Sequence, residues 1–448
     1  MAKREELKNI KSKLFSRGLT LAKWGLKASA YAAQQAITQS PISNKFLIEQ
    51  MEFLRKDLGE LKGSLMKAGQ LLSMYGEHFL PKEANDFLKE LQSSSAPLAW
   101  PKIKQQLEKE LTKEKLAELE IDTKSFASAS LGQVHIATRK SDGKKLAVKI
   151  QYPGVDKAID NDLKILKTIL KMGKLLPKTE GLDPLWEEIR LMLHQEVDYR
   201  KEAQFTDEFY ERLKDDNRYV VPKVFHEYSS ERILTTEFIE GVSVDDPQVL
   251  ALPIERRNKL GASYLDLYFR ELLEFEAVQT DPHLGNYRIQ IDANGNDRLV
   301  LLDFGAVRCV PKPFLTAYLK LIRGAFVRDP AIVIEGGLDL QFLLPDDPIE
   351  LLESYVDLCF LITEPFAKPE WKTVPSEWQT ANGDYDWAGS DLPKRVAKKG
   401  ADMIFKFKLR APPKELIFLD RKLGGAFVFL SVLNCKLNGR PILERRLS

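Results

Sequence analysis

The run Val300-Leu301-Leu302-Asp303-Phe304-Gly305 constrains this chain more than any other feature. An apolar strand there delivers one carboxylate at its end, and a glycine then lets the backbone turn sharply away. Upstream, Asp281-Pro282-His283-Leu284-Gly285-Asn286 sets a carboxylate and a carboxamide in a D-x-x-x-x-N spacing. Asn286 and Asp303 offer the oxygen ligands that a hard divalent cation takes in octahedral array. Either piece alone is also an ordinary turn. A third piece changes the weight of both. In Leu146-Ala147-Val148-Lys149-Ile150 the apolar residues share one strand face, so Lys149 points to the other, beside the small Ala147. Such a lysine swings into solvent unless a carboxylate fixes it. The segment Glu196-Val197-Asp198-Tyr199-Arg200-Lys201-Glu202 reads as helix and offers Asp198 and Glu202 on one face.

A strand lysine, a helical glutamate, D-x4-N and D-F-G, in that order, resemble the ligand set of protein kinases. In that reading Lys149 grips nucleotide phosphates and Glu202 positions it. Asp281 orients water or an acceptor hydroxyl, and Asn286 with Asp303 holds Mg²⁺. The usual His-Arg before the loop aspartate is missing, and Gln279-Thr280 stand there instead. Glu237-Phe238-Ile239 takes the hinge position, where Glu237 and Ile239 would meet adenine through their backbones. His283, inside the loop, reads as a packing residue.

The chain has 448 residues, 44% hydrophobic and 29% charged, an ordinary globular balance with room for two to three domains. A net charge of +2 gives no global field for nucleic acid, and none is expected as a partner. Cys309, Cys359 and Cys435 are far apart and read as free thiols. No signal peptide is legible, and the apolar stretch 423–433 is too short to span a bilayer. Residues 7–48 carry lysines and Arg17 but no acid. The helix expected over 7–31 admits three readings: a helix packed on the body, one lying on an anionic membrane surface, or a transit peptide.

Helical spacing continues over 46–77 and 101–119, interrupted by Pro81 and by Ser93-Ser94-Ser95-Ala96-Pro97. Strands follow at 133–139 and 145–151 about a Ser141-Asp142-Gly143 turn, then a long helix over 185–213 and strands at 220–228 and 232–238. From residue 260 the reading is helical, apart from two strands around Asn294-Gly295. A loop over 364–393 sets off the last helices. The order is α+β in two lobes. Expected domains are a basic helical extension at 1–45, a helical region at 46–120, an N-lobe at 121–240 and a helical C-lobe at 241–448.

Family-specific pieces narrow this. Lys67-Ala68-Gly69-Gln70, Phe126-Ala127-Ser128-Ala129-Ser130-Leu131-Gly132-Gln133-Val134-His135, Glu196-Val197-Asp198 and Gln279-Thr280-Asp281-Pro282 resemble the UbiB family, also called AarF-domain-containing kinases. The resemblance covers residues 63–435. It implies a bilobal kinase-like fold with an N-terminal helical extension packed over the active site, and ATP or ADP with Mg²⁺ as cofactors. It implies an alanine-rich nucleotide loop, Ala127, Ser128, Ala129 and Ser130, where kinases use glycine; Ser128 replaces an alanine usual in the family. It pairs Lys67, near Gln70, with Glu196 and Asp198, and Lys149 with Glu202. It further implies ATPase or small-molecule phosphotransferase activity supporting ubiquinone or related isoprenoid-lipid synthesis. Partners would be a lipid or membrane surface and quinone-biosynthesis proteins, in the cytoplasm or, in a eukaryote, the mitochondrial matrix. A nucleotide-sensing scaffold and a small-metabolite kinase are the alternatives.

Overall fold

The computed structural model describes residues 63–76, 88, 97–129, 131–172, 183–407 and 413–447. The basic helix expected at 7–31, the first part of the block expected at 46–77, and Ser130 lie outside the described residues. The chain divides into two compact units. The first holds the described residues of Met1–Asp207 with Lys223–Phe238, and the second those of Glu208–Pro222 with Ile239–Ser448.

In the first unit, α1 (Ser64–Gly76), α2 (Trp100–Glu110) and α3 (Lys113–Ala117) precede β1 (Leu119–Ile121), β2 (Ala127–Ser128), β3 (Gly132–Arg139) and β4 (Lys145–Gln151). Then come α4 (Val155–Met172), α5 (Asp183–Glu196), the start of α6 (Tyr199–Leu213) and β6 (Ile233–Glu237); the end of α6 and β5 (Tyr219–Val220) belong to the second unit. The sheet order is β1-β3-β4-β6, with β2 also on β3. The β3–β4 hairpin turns at Gly143, whose φ of +72° is a conformation glycine adopts at little cost. Alternation does what the sequence requires. Leu146, Val148 and Ile150 are fully buried in one cluster with Ile103 and Leu107 of α2, while Lys149 takes the other face. The register sets Lys149 between Val134 and Leu234, in the middle of the sheet.

Local chemistry revises several expected boundaries. The helix expected over 101–119 stops at Glu110, because Thr112 caps a new helix by accepting from the Lys115 N–H, and Leu119 already belongs to the edge strand. The long helix expected over 185–213 is two helices. Asp198 ends the first and caps the second, its Oδ1 accepting from Lys201 N at 3.0 Å. The helix at Val155–Met172 had no counterpart in the sequence reading. Over 220–228 only Tyr219–Val220 forms a ladder, followed by a 3-10 turn at His226–Tyr228. The expected N-lobe loses Glu208–Pro222 to the second unit, since Phe209 packs on Phe275 and Phe304 and β5 pairs with β9.

The second unit continues with α7 (Ile254–Leu273), β7 (Ala277–Gln279), β8 (Tyr287–Gln290), β9 (Arg298–Leu301) and β10 (Val307–Cys309). After them come α8 (Lys312–Val327), α9 (Pro330–Asp339), α10 (Ile349–Ile362), α11 (Leu392–Phe407), α12 (Lys414–Val432) and α13 (Arg440–Leu447). Two small sheets, β10-β7 and β5-β9-β8, bracket the loops of interest, so there are more strands here than the two expected about Gly295. Leu272, Val278, Leu315, Val333, Leu351 and Leu419 form one core beneath them. Among the described residues no helix is long and apolar enough to cross a membrane.

Ile150 is fully buried at the centre of the first unit's core. Ile150→Ala should lower stability by about 2–5 kcal/mol in chemical denaturation. Val327→Ala, at a half-exposed position, should change it by less than about 0.5 kcal/mol.

Candidate nucleotide site

On β4, Lys149 Nζ donates to both oxygens of Glu202, at 2.7 and 2.9 Å. Glu202 lies in the first turn of α6, and its side chain is only 2% exposed. The Tyr199 ring lies under the same ammonium, 5.2 Å from centroid to Nζ. A buried carboxylate is costly without a charged partner, so this pair fixes the helix to the strand. Tyr199 also touches the hairpin before Lys149. A Cβ at Gly132 would stand 2.9 Å from the Tyr199 hydroxyl and 2.4 Å from Ile150 O, so this glycine is required for space.

The alanine-rich segment is the first strand of that hairpin. Ala127 and Ser128 pair with Val134 and Gln133, and Ala129 N donates to Gly132 O at 3.0 Å. None of Ala127, Ser128 and Ala129 takes a positive φ, as their Cβ atoms require. Gln133 and His135, from the same motif, face inward. Gln133 exchanges bonds with the Leu98 backbone and donates Nε2–H to His135 Nε2, so Nδ1 carries the ring proton and donates to Asp122 O. This stretch of the motif therefore fastens the segment entering α2 to the sheet.

Lys67, on α1, is buried and reaches Glu196 at the end of α5 at 2.9 Å. α1 packs on α4 and α5. Asp198, expected beside Glu196 as a second partner, is exposed, and its carboxylate caps α6. Gln70 is half-buried on the same helix. At the hinge, Glu237 pairs with Lys144 at 2.8 Å. Its N–H donates to Lys223 O and that of Phe238 to Lys145 O, and Ile239 is half-buried.

The second unit gathers Asp281, Asn286 and Asp303. Pairing of Tyr287 with Leu301 brings the ends of β8 and β9 together, and Leu302 N donates to Asn286 O at 2.9 Å. Asn286 Nδ2 donates to Asp281 O at 3.0 Å, which turns its Oδ1 the other way. Asp303 Oδ1 accepts from Gly305 N, closing the turn. Phe304 is buried against Phe209, with ring centroids 4.8 Å apart. His283 Nδ1 accepts from Gly285 N, so this exposed ring belongs to its own loop.

The residues standing in for His-Arg are the joint of this arrangement. Gln279 Oε1 accepts from Asp281 N at 2.5 Å, and its Nε2 donates to Asp303 O at 3.1 Å. Thr280 donates from both its N–H and its hydroxyl to Ala306 O. Gln279 N in turn donates to Glu271 Oε2, and Glu271 is paired with Lys422 at 3.1 Å, both side chains almost fully buried. Burial works against both charges and pushes the Glu271 carboxyl above its ordinary value. Burial also disfavours the Lys422 ammonium, yet the Glu271 carboxylate beside it holds it above its ordinary value. The D-x4-N and D-F-G spacings pointed to Asp281, Asn286 and Asp303. Glu271 and Lys422, 151 residues apart, left no sequence signal.

The profile of the ABC1 atypical kinase-like domain matches residues 90–336, more than half of the chain. The chain belongs to the ABC1 family of atypical kinases. It is 32% identical to the atypical kinase COQ8B, mitochondrial, of Rattus norvegicus over 97% of its own length and 79% of that protein. The COQ8B of Danio rerio is also 32% identical, over 90% of this chain, and the match spans 61% of that longer protein. A solved structure titled as the Rv3197–erythromycin complex from Mycobacterium tuberculosis has a TM-score of 0.59 at 24% identity. It covers 92% of this chain and 97% of its own, and it supports the fold. The α+β kinase-like fold follows from the family and this likeness.

ABC1 membership gives the donor sets a chemical test. Asn286 and Asp303 are two oxygen donors on adjoining strand ends, which suits Mg²⁺, an ion that keeps most of its shell as waters and phosphate oxygens. Lys149 is a cation held by a buried carboxylate, which suits a phosphate. The residues fit Mg²⁺ and a nucleotide.

Breaking the Glu271–Lys422 pair leaves a buried ammonium without its partner. Glu271→Ala should therefore cost about 3–5 kcal/mol. It should be measured by denaturation with probes in each unit, because a two-unit chain need not unfold in one step.

Proposed function

We propose that this ABC1 protein is an Mg-ATP-dependent enzyme that transfers the γ-phosphoryl group to water or a small acceptor. The observation that carries the proposal is the Lys149–Glu202 pair, a strand ammonium held at 2.7 Å by an almost fully buried helical carboxylate. Lys149 donates to the phosphate oxygens, and Glu202 with Tyr199 prevents it from swinging away. Asn286 and Asp303 are the metal ligands. Held by Asn286 and Asp303, Mg²⁺ would supply neutralisation of the phosphate charge. Asp281 orients the attacking O–H, and Gln279 keeps Asp281 and Asp303 in step.

The nucleotide loop differs from a glycine-rich one. Ala129 spends its N–H on Gly132 O, so the hairpin offers less backbone to a phosphate. We assign Ala127, Ser128, Ala129 and Ser130 to the phosphate side of the nucleotide, and Glu237 and Ile239 to the adenine side. Lys67, Gln70 and Glu196 are assigned a regulatory role through the α1–α5 contact, with Asp198 contributing as the cap that starts α6. Resemblance to COQ8 proteins supports a place in ubiquinone or related isoprenoid-lipid synthesis, with a lipid or membrane surface and other proteins of that synthesis as partners. The mitochondrial label of those relatives supports a mitochondrial setting.

Asp303→Asn and Lys149→Ala should each abolish ATP turnover in a phosphate-release assay; undiminished turnover in both variants contradicts the assignment. Turnover is measured beside binding. At 100 times its dissociation constant, Mg-ATP should add about 2.7 kcal/mol of stability. That corresponds to about 2–4 °C per kcal/mol in the melting midpoint, and the gain should vanish when the divalent ion is chelated. Binding without turnover in the unaltered chain would replace the enzyme by a nucleotide-responsive scaffold.

A further inference from the structure

Helix α12 (Lys414–Val432) meets the catalytic loop along one face. Arg421 Nη2 donates to Asp281 Oδ1 at 2.7 Å, and both side chains are largely buried, at 13% and 16% exposure. One turn later, a Cβ on Gly425 would lie 2.1 Å from Pro282 Cβ and 2.4 Å from its Cγ. Glycine is therefore what lets the helix approach the loop so closely. Between them in sequence, Lys422 holds Glu271 and through it Gln279. Residues four apart share a helix face, so Arg421 and Gly425 act from the same side.

The loop needs this help. Residues 281–286 contain no lysine or arginine, and His283 is engaged with Gly285 N. Gln279 and Thr280 are spent on Asp303 O and Ala306 O. Arg421 brings a positive charge to Asp281 from α12, 140 residues away in sequence. A guanidinium is always charged, and its bond to a carboxylate is both strong and directional. It constrains the rotation of the Asp281 carboxylate, which the backbone bonds at Asp281 N and O do not touch.

We propose that Arg421 is a positioning residue for phosphoryl transfer: it orients the Asp281 carboxylate toward the attacking group, and Gly425 sets the distance from which it does so. This rests on the Mg-ATP reading above. A residue that acts only in the reacting complex changes kcat and leaves nucleotide affinity alone.

The test uses the full chain and single-turnover hydrolysis of radiolabelled ATP, with Mg-ADP thermal shifts run in parallel. Arg421→Ala should lower the rate by about 10²-fold, the scale of losing one preorganised charge contact. It should keep the Mg-ADP shift of the unaltered chain. Added guanidinium ion should restore part of the rate to Arg421→Ala and none to Asp303→Asn. If Arg421→Ala does not fold, Gly425→Ala, which pushes the helix off Pro282 with Arg421 intact, should show the same loss of rate at unchanged Mg-ADP binding. Variants as fast as the unaltered chain, or a loss in Arg421→Ala that guanidinium does not relieve, overturn the role of Arg421 alone. An unaltered chain that neither shifts with Mg-ADP nor hydrolyses ATP overturns the nucleotide reading, and this proposal falls with it.

Discussion

One buried carboxamide ties the reactive segments of the second unit together. Gln279 holds Asp281 through its oxygen and Asp303 through its nitrogen, and it is only 4% exposed. A planar amide with both ends committed sets a fixed separation between two backbone segments that the chain joins by a long excursion. Its own N–H is committed as well, to Glu271, which the Lys422 ammonium also holds in the interior. Losing any member strands a buried polar group, at a cost of about 1–3 kcal/mol for a neutral one. Such a network is held or lost as a whole. Thr280 on Ala306 and Asn286 on Leu302 repeat the same link at either side.

How much of this was legible depends on the range of the interaction. Strand alternation at Leu146, Val148 and Ile150 fixed the direction of Lys149, because period 2 is a local property. The Asp142-Gly143 turn and the D-x4-N spacing were local too. The break at Val197-Asp198 was missed because the helical period runs through it, while Asp198 as a cap changes the backbone without changing the pattern. Capping chemistry at Thr112 was overlooked in the same way. The contributions of Arg421, Lys422 and Gly425 could not be read at all. Each depends on a contact with a residue more than a hundred positions away, and nothing in the composition of α12 names its partner.

The ABC1 motifs acquire distinct physical tasks. Lys67 and Glu196 join α1 to α5 across more than a hundred residues, a largely desolvated pair whose loss would leave Lys67 buried. Gln133 and His135 serve the sheet, Gly132 makes room for Tyr199, and Gln279-Thr280 serve the D-F-G turn. Of these, Gly132 through Tyr199 bears on Lys149, and Gln279 bears on Asp281 and Asp303.

In the proposed function, Asn286 and Asp303 hold a divalent ion on a nucleotide. Manganese in place of magnesium makes that ion visible by electron paramagnetic resonance. The account predicts Mn²⁺ binding that depends on ADP in the unaltered chain and disappears in both Asn286→Ala and Asp303→Asn. ADP-dependent Mn²⁺ binding that survives in both variants would contradict it.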